Sequence, residues 1–69
     1  MKISARNVLP GMIRHIEIGA VNAQVTIEIA PRILIVSIVT ADSVKNLGLA
    51  VGKPAYAVIK ASSVMLGVD

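Results

Sequence analysis

The sequence predicts an all-β fold, a small barrel of about five short strands with one short helix. In Ala23–Ile29, apolar residues alternate with Gln, Thr and Glu, which is the period of a strand with one wet face and one dry face. Ile33–Val39 is an apolar run rich in β-branched residues, and two shorter apolar runs, Tyr56–Ile59 and Val64–Leu66, follow near the carboxyl end. Short strands in this number, with a helix before the last pair, indicate an OB-like barrel, the kind found in oligonucleotide- and oligosaccharide-binding domains.

The first part of the chain predicts two strands separated by a turn. Ser4–Val8 is expected to be extended, because the Asn, Pro and Gly that follow discourage a helix. Pro10–Gly11 is a typical turn pair, and Ile13–Ile18 then alternates as a strand. Ile13 is out of phase with the two isoleucines after it, which predicts a β-bulge at this position.

Two turns divide the middle of the sheet. Gly19–Asn22 turns the chain, although it lacks the Asn-Gly or Asp-Gly order that fixes a tight hairpin type. Ala30–Arg32 is the second turn, between the alternating strand and the apolar run. Because Ile33–Val39 shows no alternation, we expect both of its faces to be covered, one of them by a neighbouring subunit.

One segment, Thr40–Gly48, carries a good helix signal. Thr40 is a suitable N-cap, Val44 and Leu47 are spaced i,i+3 on one face, and Gly48 is a typical stop. The sequence therefore predicts a helix of about two turns after the Ile33–Val39 strand and before the last pair of strands.

The chain has too much apolar surface for its length. It has 69 residues, 55% of them hydrophobic, and we expect residues 1–69 to form one domain of marginal stability. Without cysteine, neither a disulfide nor a thiolate metal site can add stability. We therefore expect an oligomer in which copies of the chain cover one another's apolar surface.

The sequence shows no signal for a membrane or for secretion. The apolar stretches are shorter than the roughly 18 residues of a membrane span, and Pro31 and Arg32 interrupt them. Met1 and Lys2 are followed by Ser4, Arg6 and Asn7, where a secretory signal has an apolar segment. We expect a soluble cytoplasmic protein with no membrane partner.

Charge and residue types argue against nucleic-acid binding and catalysis. The net charge is +3, but the basic residues are scattered, and Tyr56 is the single aromatic residue, so a stacking platform for bases is missing. His15 is the one histidine, and its neighbour Glu17 makes a solvated salt link more plausible than an acid/base pair. We expect no enzyme, no directly coordinated metal ion and no organic cofactor.

Two polar clusters near the ends of the sequence contain hydrogen-bond donors and no carboxylate. They are Ser4–Asn7 and Lys60–Ser63. A tetrahedral dianion without a proton offers only acceptors, so its pocket needs donors and no acidic side chain. From residue types alone, a second interpretation stays open: the serines cap a turn, and Arg6 is a surface residue at a strand start.

Three motifs resemble those of the molbindin (Mop) family, whose module is the transport-associated OB-like (TOBE) domain. They are Ser-Ala-Arg-Asn at Ser4–Asn7, Gly-Ala-Val-Asn-Ala at Gly19–Ala23, and Ala-Val-Ile-Lys-Ala-Ser-Ser-Val-Met at Ala57–Met65. The resemblance covers essentially the whole chain. It implies a hexamer, assembled as a trimer of dimers, that holds molybdate or tungstate between subunits.

The resemblance also implies which residues bind the oxyanion. The first class of site carries over to Ser4, Ala5, Arg6, Lys60, Ala61 and Ser62, with main-chain amides from the two alanines. Asn7 and Ser63 belong to the same motifs and are candidates for this site or for structural caps.

A second class of site near the threefold axis is implied as well. Its candidates are Gly19, Ala20, Val21 and Asn22, together with His15. Asn22 has an equally good interpretation as a plain turn residue. The sequence departs from relatives that have a Gly-rich turn after the second strand, since it has Ala30–Arg32 there.

The function expected from these observations is reversible storage of molybdate in the cell. The alternative is a molybdate-responsive module that acts on a protein partner, because the same domain occurs in the family fused to transcription factors and transporter ATPases.

Overall fold

The computed structural model of the chain describes residues 1–69 as a four-stranded sheet with one helix. All neighbouring strands are antiparallel, and their order in the sheet is β3-β2-β1-β4. A single 3₁₀ turn, Ala61–Ser63, follows the last strand. The elements are β1 Asn7–Ile18, β2 Asn22–Ala30, β3 Ile33–Thr40, α1 Ala41–Leu47 and β4 Pro54–Ile59. No helix in the chain has the length and apolarity needed to cross a membrane.

Strand β1 is one continuous strand of 12 residues, so the predicted turn at Pro10–Gly11 is wrong. Its first half, up to Met12, pairs with β4, and its second half, from Met12 onward, pairs with β2. Pro10 therefore lies where β1 has a partner on one side only, and the missing N–H of proline costs no hydrogen bond there.

Gly11 is required by close packing and not by a turn. A Cβ atom at this position would lie 2.5 Å from the carbonyl oxygen of Glu28 and 2.9 Å from Cγ1 of Ile27. The absence of a side chain at Gly11 thus lets β1 and β2 approach each other where β1 passes from one partner strand to the other.

The predicted bulge near Ile13 is confirmed. The register with β2 shifts between Ile13 and His15, which leaves Arg14 as the extra residue. Ile13 is almost completely buried, whereas Arg14 and His15 are exposed. The Ile13 amide donates to the Lys53 carbonyl, and the Gly52 amide donates to the Ile13 carbonyl. These two bonds hold the loop before β4 against the bulge.

The β2–β3 turn has an unusual backbone conformation at Arg32. Its φ is 65°, in the left-handed region where glycine is favoured. The amide of Arg32 donates to Glu28 Oε2 at 3.4 Å, so the Glu28 carboxylate helps to hold the turn. This is the position at which the sequence departs from the Gly-rich turn expected from the resemblance.

Both caps of the predicted helix are confirmed. The hydroxyl of Thr40 accepts a hydrogen bond from the Ser43 amide at 3.0 Å, and Gly48 ends the helix with a φ of 64°. Val44 is buried in the core, whereas Leu47 stays 71% exposed. One residue of the predicted apolar pair therefore packs on the sheet.

The core is small. Only 5 of 69 residues are buried, and four of them, Ile13, Ala23, Val25 and Val44, form one cluster under the helix. On β3 the side chains alternate, with Leu34, Val36 and Ile38 exposed on the outer face. The outer face of β3 is thus uncovered within one chain, and its cover by a neighbouring subunit stays a prediction.

The predicted last strand is absent from the chain. The structure has four strands where about five were expected, and Val64–Leu66 belongs to none of them. Met65 and Leu66 are more than nine-tenths exposed. After the 3₁₀ turn this segment has no neighbouring strand in its own chain, and an extended segment without a partner is not a strand.

Substituting Gly11 by alanine should destabilise the fold, because the new methyl group would push β1 away from the Glu28 carbonyl. We expect Gly11→Ala to lower the free energy of unfolding by about 1–3 kcal/mol in urea denaturation. Pro10→Ala, at the adjacent exposed position, serves as the control, with a change of less than about 1 kcal/mol. Equal midpoints for Gly11→Ala and the unsubstituted protein would contradict the close-approach argument.

Two substitutions at Arg32 should change stability in opposite directions. Arg32→Gly removes the strain of a left-handed non-glycine residue and should raise the free energy of unfolding by up to about 1 kcal/mol, after the added flexibility of the unfolded chain. Arg32→Val places a β-branched residue at the same φ and should lower it. Thermal unfolding of both variants measures the difference, and a valine variant as stable as the glycine variant would show that the turn is not strained.

Candidate oxyanion site

The pairing of β1 with β4 brings the two predicted donor clusters, Ser4–Asn7 and Lys60–Ser63, to one end of the sheet, which we call the donor end. Asn7, the first residue of β1, pairs with Ile59, the last residue of β4. Ser4–Arg6 enters the sheet at this point and Lys60–Ser63 leaves it there. In this register Ala55, Ala57 and Ile59 of β4 turn inward, whereas Pro54, Tyr56 and Val58 turn outward.

The turn after β4 leaves two main-chain donors free. The Ser63 amide donates to the Lys60 carbonyl at 2.9 Å and the Val64 amide donates to the Ala61 carbonyl at 3.3 Å. The amides of Ala61 and Ser62, which open the turn, have no main-chain acceptor. These two amides and the exposed hydroxyls of Ser62 and Ser63 are therefore available to an outside acceptor.

The two cations of the clusters have no carboxylate partner. Neither Arg6 nor Lys60 takes part in a salt bridge or a side-chain hydrogen bond. Glu17 lies near the other end of β1, paired with Gln24. Asp42 lies in α1, which begins beside the β1–β2 turn at that same far end. The positive charge at the donor end is thus not neutralised by these acidic residues.

The salt bridge in the chain joins Arg14 to Glu28, with 2.8 Å between Nη2 and Oε1. The hydrogen bond from Arg14, with that from the Arg32 amide, lowers the pKa of Glu28 below its ordinary value. The pair that the sequence suggested, His15 with Glu17, forms no ion pair. Glu28 is therefore committed to the bulge and the β2–β3 turn, away from the donor clusters.

The eight predicted residues of the first site are accessible in one chain. Two of them, Ala5 and Asn7, are half-buried, and the others are exposed. The exposed members are Ser4, Arg6, Lys60, Ala61, Ser62 and Ser63. One chain therefore supplies an open set of donors at an edge and not an enclosed pocket.

The predicted second site lies at the opposite end of β1. Gly19, Ala20 and Val21 form the β1–β2 turn, in which the Gly19 amide donates to the Asn22 carbonyl at 2.8 Å. The Asn22 side chain is exposed and makes no hydrogen bond.

His15 is separated from this turn. It pairs with Thr26, four residues along β2 from Asn22, which corresponds to about 13 Å at the rise of a strand. The structure therefore groups the four turn residues and does not bring His15 to them.

Sequence reasoning missed an apolar trough beside the donor end. It has a volume of about 620 Å³, lies between the two edge strands β3 and β4, and has Lys60 and Ser63 among its lining residues. The signal for it was present in the sequence, since the inward positions of β4 are all apolar and those of β3 are apolar except for Ser37. The structure contains no group of three or more His, Cys, Asp or Glu side chains placed so that they could hold a metal ion.

Comparison with known proteins agrees with this arrangement. The model of the TOBE domain family matches residues 3–66. The chain belongs to the TOBE domain family. This TOBE domain is 55% identical, over the full length of both chains, to a probable molybdenum-pterin-binding protein of Haemophilus influenzae. The predicted resemblance to the Mop family is thereby confirmed.

Solved structures confirm the OB-like fold of this TOBE domain. MopII from Clostridium pasteurianum superposes with a TM-score of 0.90 at 42% identity, over 97% of this chain and 100% of that chain. The cytoplasmic molybdate-binding protein ModG, in a crystal form with molybdate bound, gives a TM-score of 0.93 at 51% identity. That match covers all of this TOBE domain and 49% of the ModG chain.

Proposed function

We propose that this TOBE domain binds molybdate reversibly, without chemical conversion, at the donor end of the sheet. The observation that carries the proposal is the register of β1 with β4, which gathers two donor clusters without a carboxylate at one edge. The molybdate-bound ModG and the molybdate-binding protein of Sporomusa ovata support the same ligand. Tungstate, with the same charge and shape, fits the same donors.

The donor set suits a fully deprotonated tetrahedral oxyanion. Molybdate at neutral pH offers acceptor oxygens in every direction, and cationic and neutral donors can serve all of them. Phosphate usually keeps a proton near neutral pH, and a site without a carboxylate lacks the strong acceptor that would favour that protonated form. Molybdate and sulfate are both doubly charged tetrahedral anions, so discrimination between them depends on the size of the cavity.

Each part of the site has a distinct role in this proposal. Arg6 and Lys60 supply positive charge, Ser4 and Ser62 supply hydroxyl donors, and the amides of Ala5 and Ala61 supply main-chain donors. Asn7 begins the β1–β4 ladder, the Ser63 amide closes the following turn on the Lys60 carbonyl, and both side chains add donors at the rim of the site. No covalent step is required of any of these residues, so we propose a binding protein and not an enzyme, with no organic cofactor.

The open geometry in one chain favours a site completed between subunits. We propose a hexamer, a trimer of dimers, in which a second copy closes the donor end over the anion and removes it from water. We place the second class of site at Gly19–Asn22. In a cytoplasmic protein of this kind, the bound molybdate serves storage and homeostasis of molybdenum, with no nucleic-acid or membrane partner.

Removing either cation should weaken molybdate binding. A charge-assisted hydrogen bond contributes about 1.5–3 kcal/mol, so Arg6→Ala and Lys60→Ala should each raise the Kd for molybdate about tenfold or more in titration calorimetry. Lys45→Ala removes the same charge from an exposed position of α1 that belongs to neither donor cluster, and it is the matched control. It should leave the Kd unchanged.

The outcome against this site is an unchanged Kd in both cluster variants. A loss of the same size in Lys45→Ala would also count against it, because it would show that affinity follows net charge and not the donor clusters.

The alternative function is a molybdate-responsive module that changes the activity of a protein partner. The observation in its favour is that the domain accounts for about half of the ModG chain, so the module is used within longer proteins. A pull-down with and without molybdate separates the two functions. A partner retained only in the presence of molybdate favours the regulatory module, and its absence favours storage.

A further inference from the structure

Two irregularities of the sheet lie on either side of one carboxylate. The β1–β2 ladder shifts register between Ile13 and His15, and the β2–β3 ladder shifts register between Glu28 and Ala30. Glu28 is the last residue of β2 that pairs with both neighbouring strands. Its side chain is therefore placed where the regular pairing of β2 ends on both sides.

The Glu28 carboxylate uses its two oxygens on two different elements. Oε1 accepts from Arg14 at the β1 bulge, at 2.9 Å from Nε and 2.8 Å from Nη2. Oε2 accepts from the Arg32 amide in the β2–β3 turn, at 3.4 Å. One side chain thus connects the bulge of β1 with a turn that β1 does not reach by strand pairing.

No other charged group forms an ion pair with this carboxylate. The neighbouring strand β3, Ile33–Thr40, contains no titratable residue. On β1 the nearest other titratable residues are His15 and Glu17, and the loop before β4 brings Lys53 to the bulge through its carbonyl. None of these three residues takes part in a salt bridge. The charge of Glu28 is therefore answered by Arg14 alone.

Arg32 has a backbone that needs such support. It is the one non-glycine residue of the chain with a positive φ, at 65°. This conformation is unfavourable for a residue with a Cβ atom, and it persists only where surrounding contacts hold it. The Arg32 side chain makes no hydrogen bond or salt bridge, so the bond from its amide to Glu28 is the contact that can hold the turn.

We propose that Arg14, Glu28 and Arg32 form a carboxylate clamp, through which the β1 bulge controls the β2–β3 turn and the start of the edge strand β3. Arg14 is the positioning residue, because it fixes the carboxylate that holds the Arg32 amide. When the clamp opens, the turn leaves its left-handed conformation and the first residues of β3 fray. The clamp does not depend on the proposed molybdate binding, since its members lie outside both donor clusters.

Protonation of Glu28 opens the clamp. The hydrogen bond from Arg14, and then that from the Arg32 amide, lower the pKa of Glu28 in the folded chain. Because this pKa is lower than in the unfolded chain, the stabilisation by the clamp is complete above the ordinary pKa of a glutamate. It is lost as the pH falls through the lower pKa of the folded state. The clamp therefore makes the β2–β3 turn an acid-sensitive part of the fold.

An NMR titration with acid tests the link between the carboxylate and the turn. We expect the side-chain carboxyl of Glu28 and the amide proton of Arg32 to titrate with one common midpoint, below the ordinary pKa of glutamate. In Arg14→Gln both midpoints should rise together, whereas Lys45→Gln, with the same loss of charge in α1, should leave them unchanged. An Arg32 amide that does not follow the Glu28 midpoint would overturn the clamp.

A second pair of variants assigns the titration to one carboxylate. Glu28→Gln keeps the size of the side chain and removes its charge, so the acid titration of the Arg32 amide should disappear. Glu17→Gln makes the same change at an exposed carboxylate of β1 without an ion pair, and the titration should persist. The proposal is wrong if the Arg32 amide still titrates in Glu28→Gln.

Hydrogen exchange at neutral pH tests the positioning role of Arg14 without acid. Arg14→Gln should speed exchange of the Arg32 amide about two- to fivefold, the range for loss of an exposed ion pair. The amide of Val39, at the other end of β3, should exchange as in the unsubstituted protein. Without a clamp, removal of a positive charge repels hydroxide less favourably balanced by cations and slows base-catalysed exchange. Unchanged or slower exchange at Arg32 would therefore contradict the proposal.

Discussion

The structure depends on the close approach of β1 to its two partner strands. One strand of 12 residues serves as the partner of β4 over its first half and of β2 over its second half. The transfer occurs around Gly11, where there is no room for a Cβ atom. Because β1 remains continuous through this point, the beginning of the chain is carried to the end of β4, and the two donor clusters meet there. If β1 were interrupted at Gly11, the core residue Ile13 and the donor end would lie on two separate strands.

The distribution of charge follows from the same strand. The Arg14 bulge and Glu28 form a pair near the middle of the sheet, which satisfies one carboxylate and supports the strained turn at Arg32. The other acidic residues of β1 and α1 lie toward the opposite end. The cations at the donor end are consequently left without partners, and an exposed cation without a partner retains its full interaction with an anion that arrives from solution. The selectivity of such a site for anions depends as much on the placement of carboxylates elsewhere as on its own donors.

Local features were predictable from the sequence, and features that depend on distant partners were not. Thr40 and Gly48 cap α1 through bonds within a few residues, and the bulge at Ile13 is visible as a break in the period of the isoleucines. Pro10–Gly11 resembles a turn by residue type, but pairing with β4 and crowding by Glu28 decide its conformation. Val64–Leu66 has the composition of a strand, and a strand requires a neighbour that its own chain does not provide.

The candidate site shows the same division between local and distant information. The composition of Ser4–Asn7 and Lys60–Ser63 identified them as donor clusters, and family resemblance gave them a ligand. Their common position at one end of the sheet is a result of the β1–β4 register, which no short motif specifies. The grouping of His15 with the Gly19–Asn22 turn was a weaker inference, because His15 lies several residues along the ladder from that turn.

The bare edge of β3 has a consequence for the chain during its synthesis. Natural edge strands are commonly protected by lysine, proline or an inward charge, and Ile33–Thr40 contains none of these. The open edge of β3 can therefore pair with a strand of another newly made chain, and the sequence of β3 contains nothing that opposes such pairing.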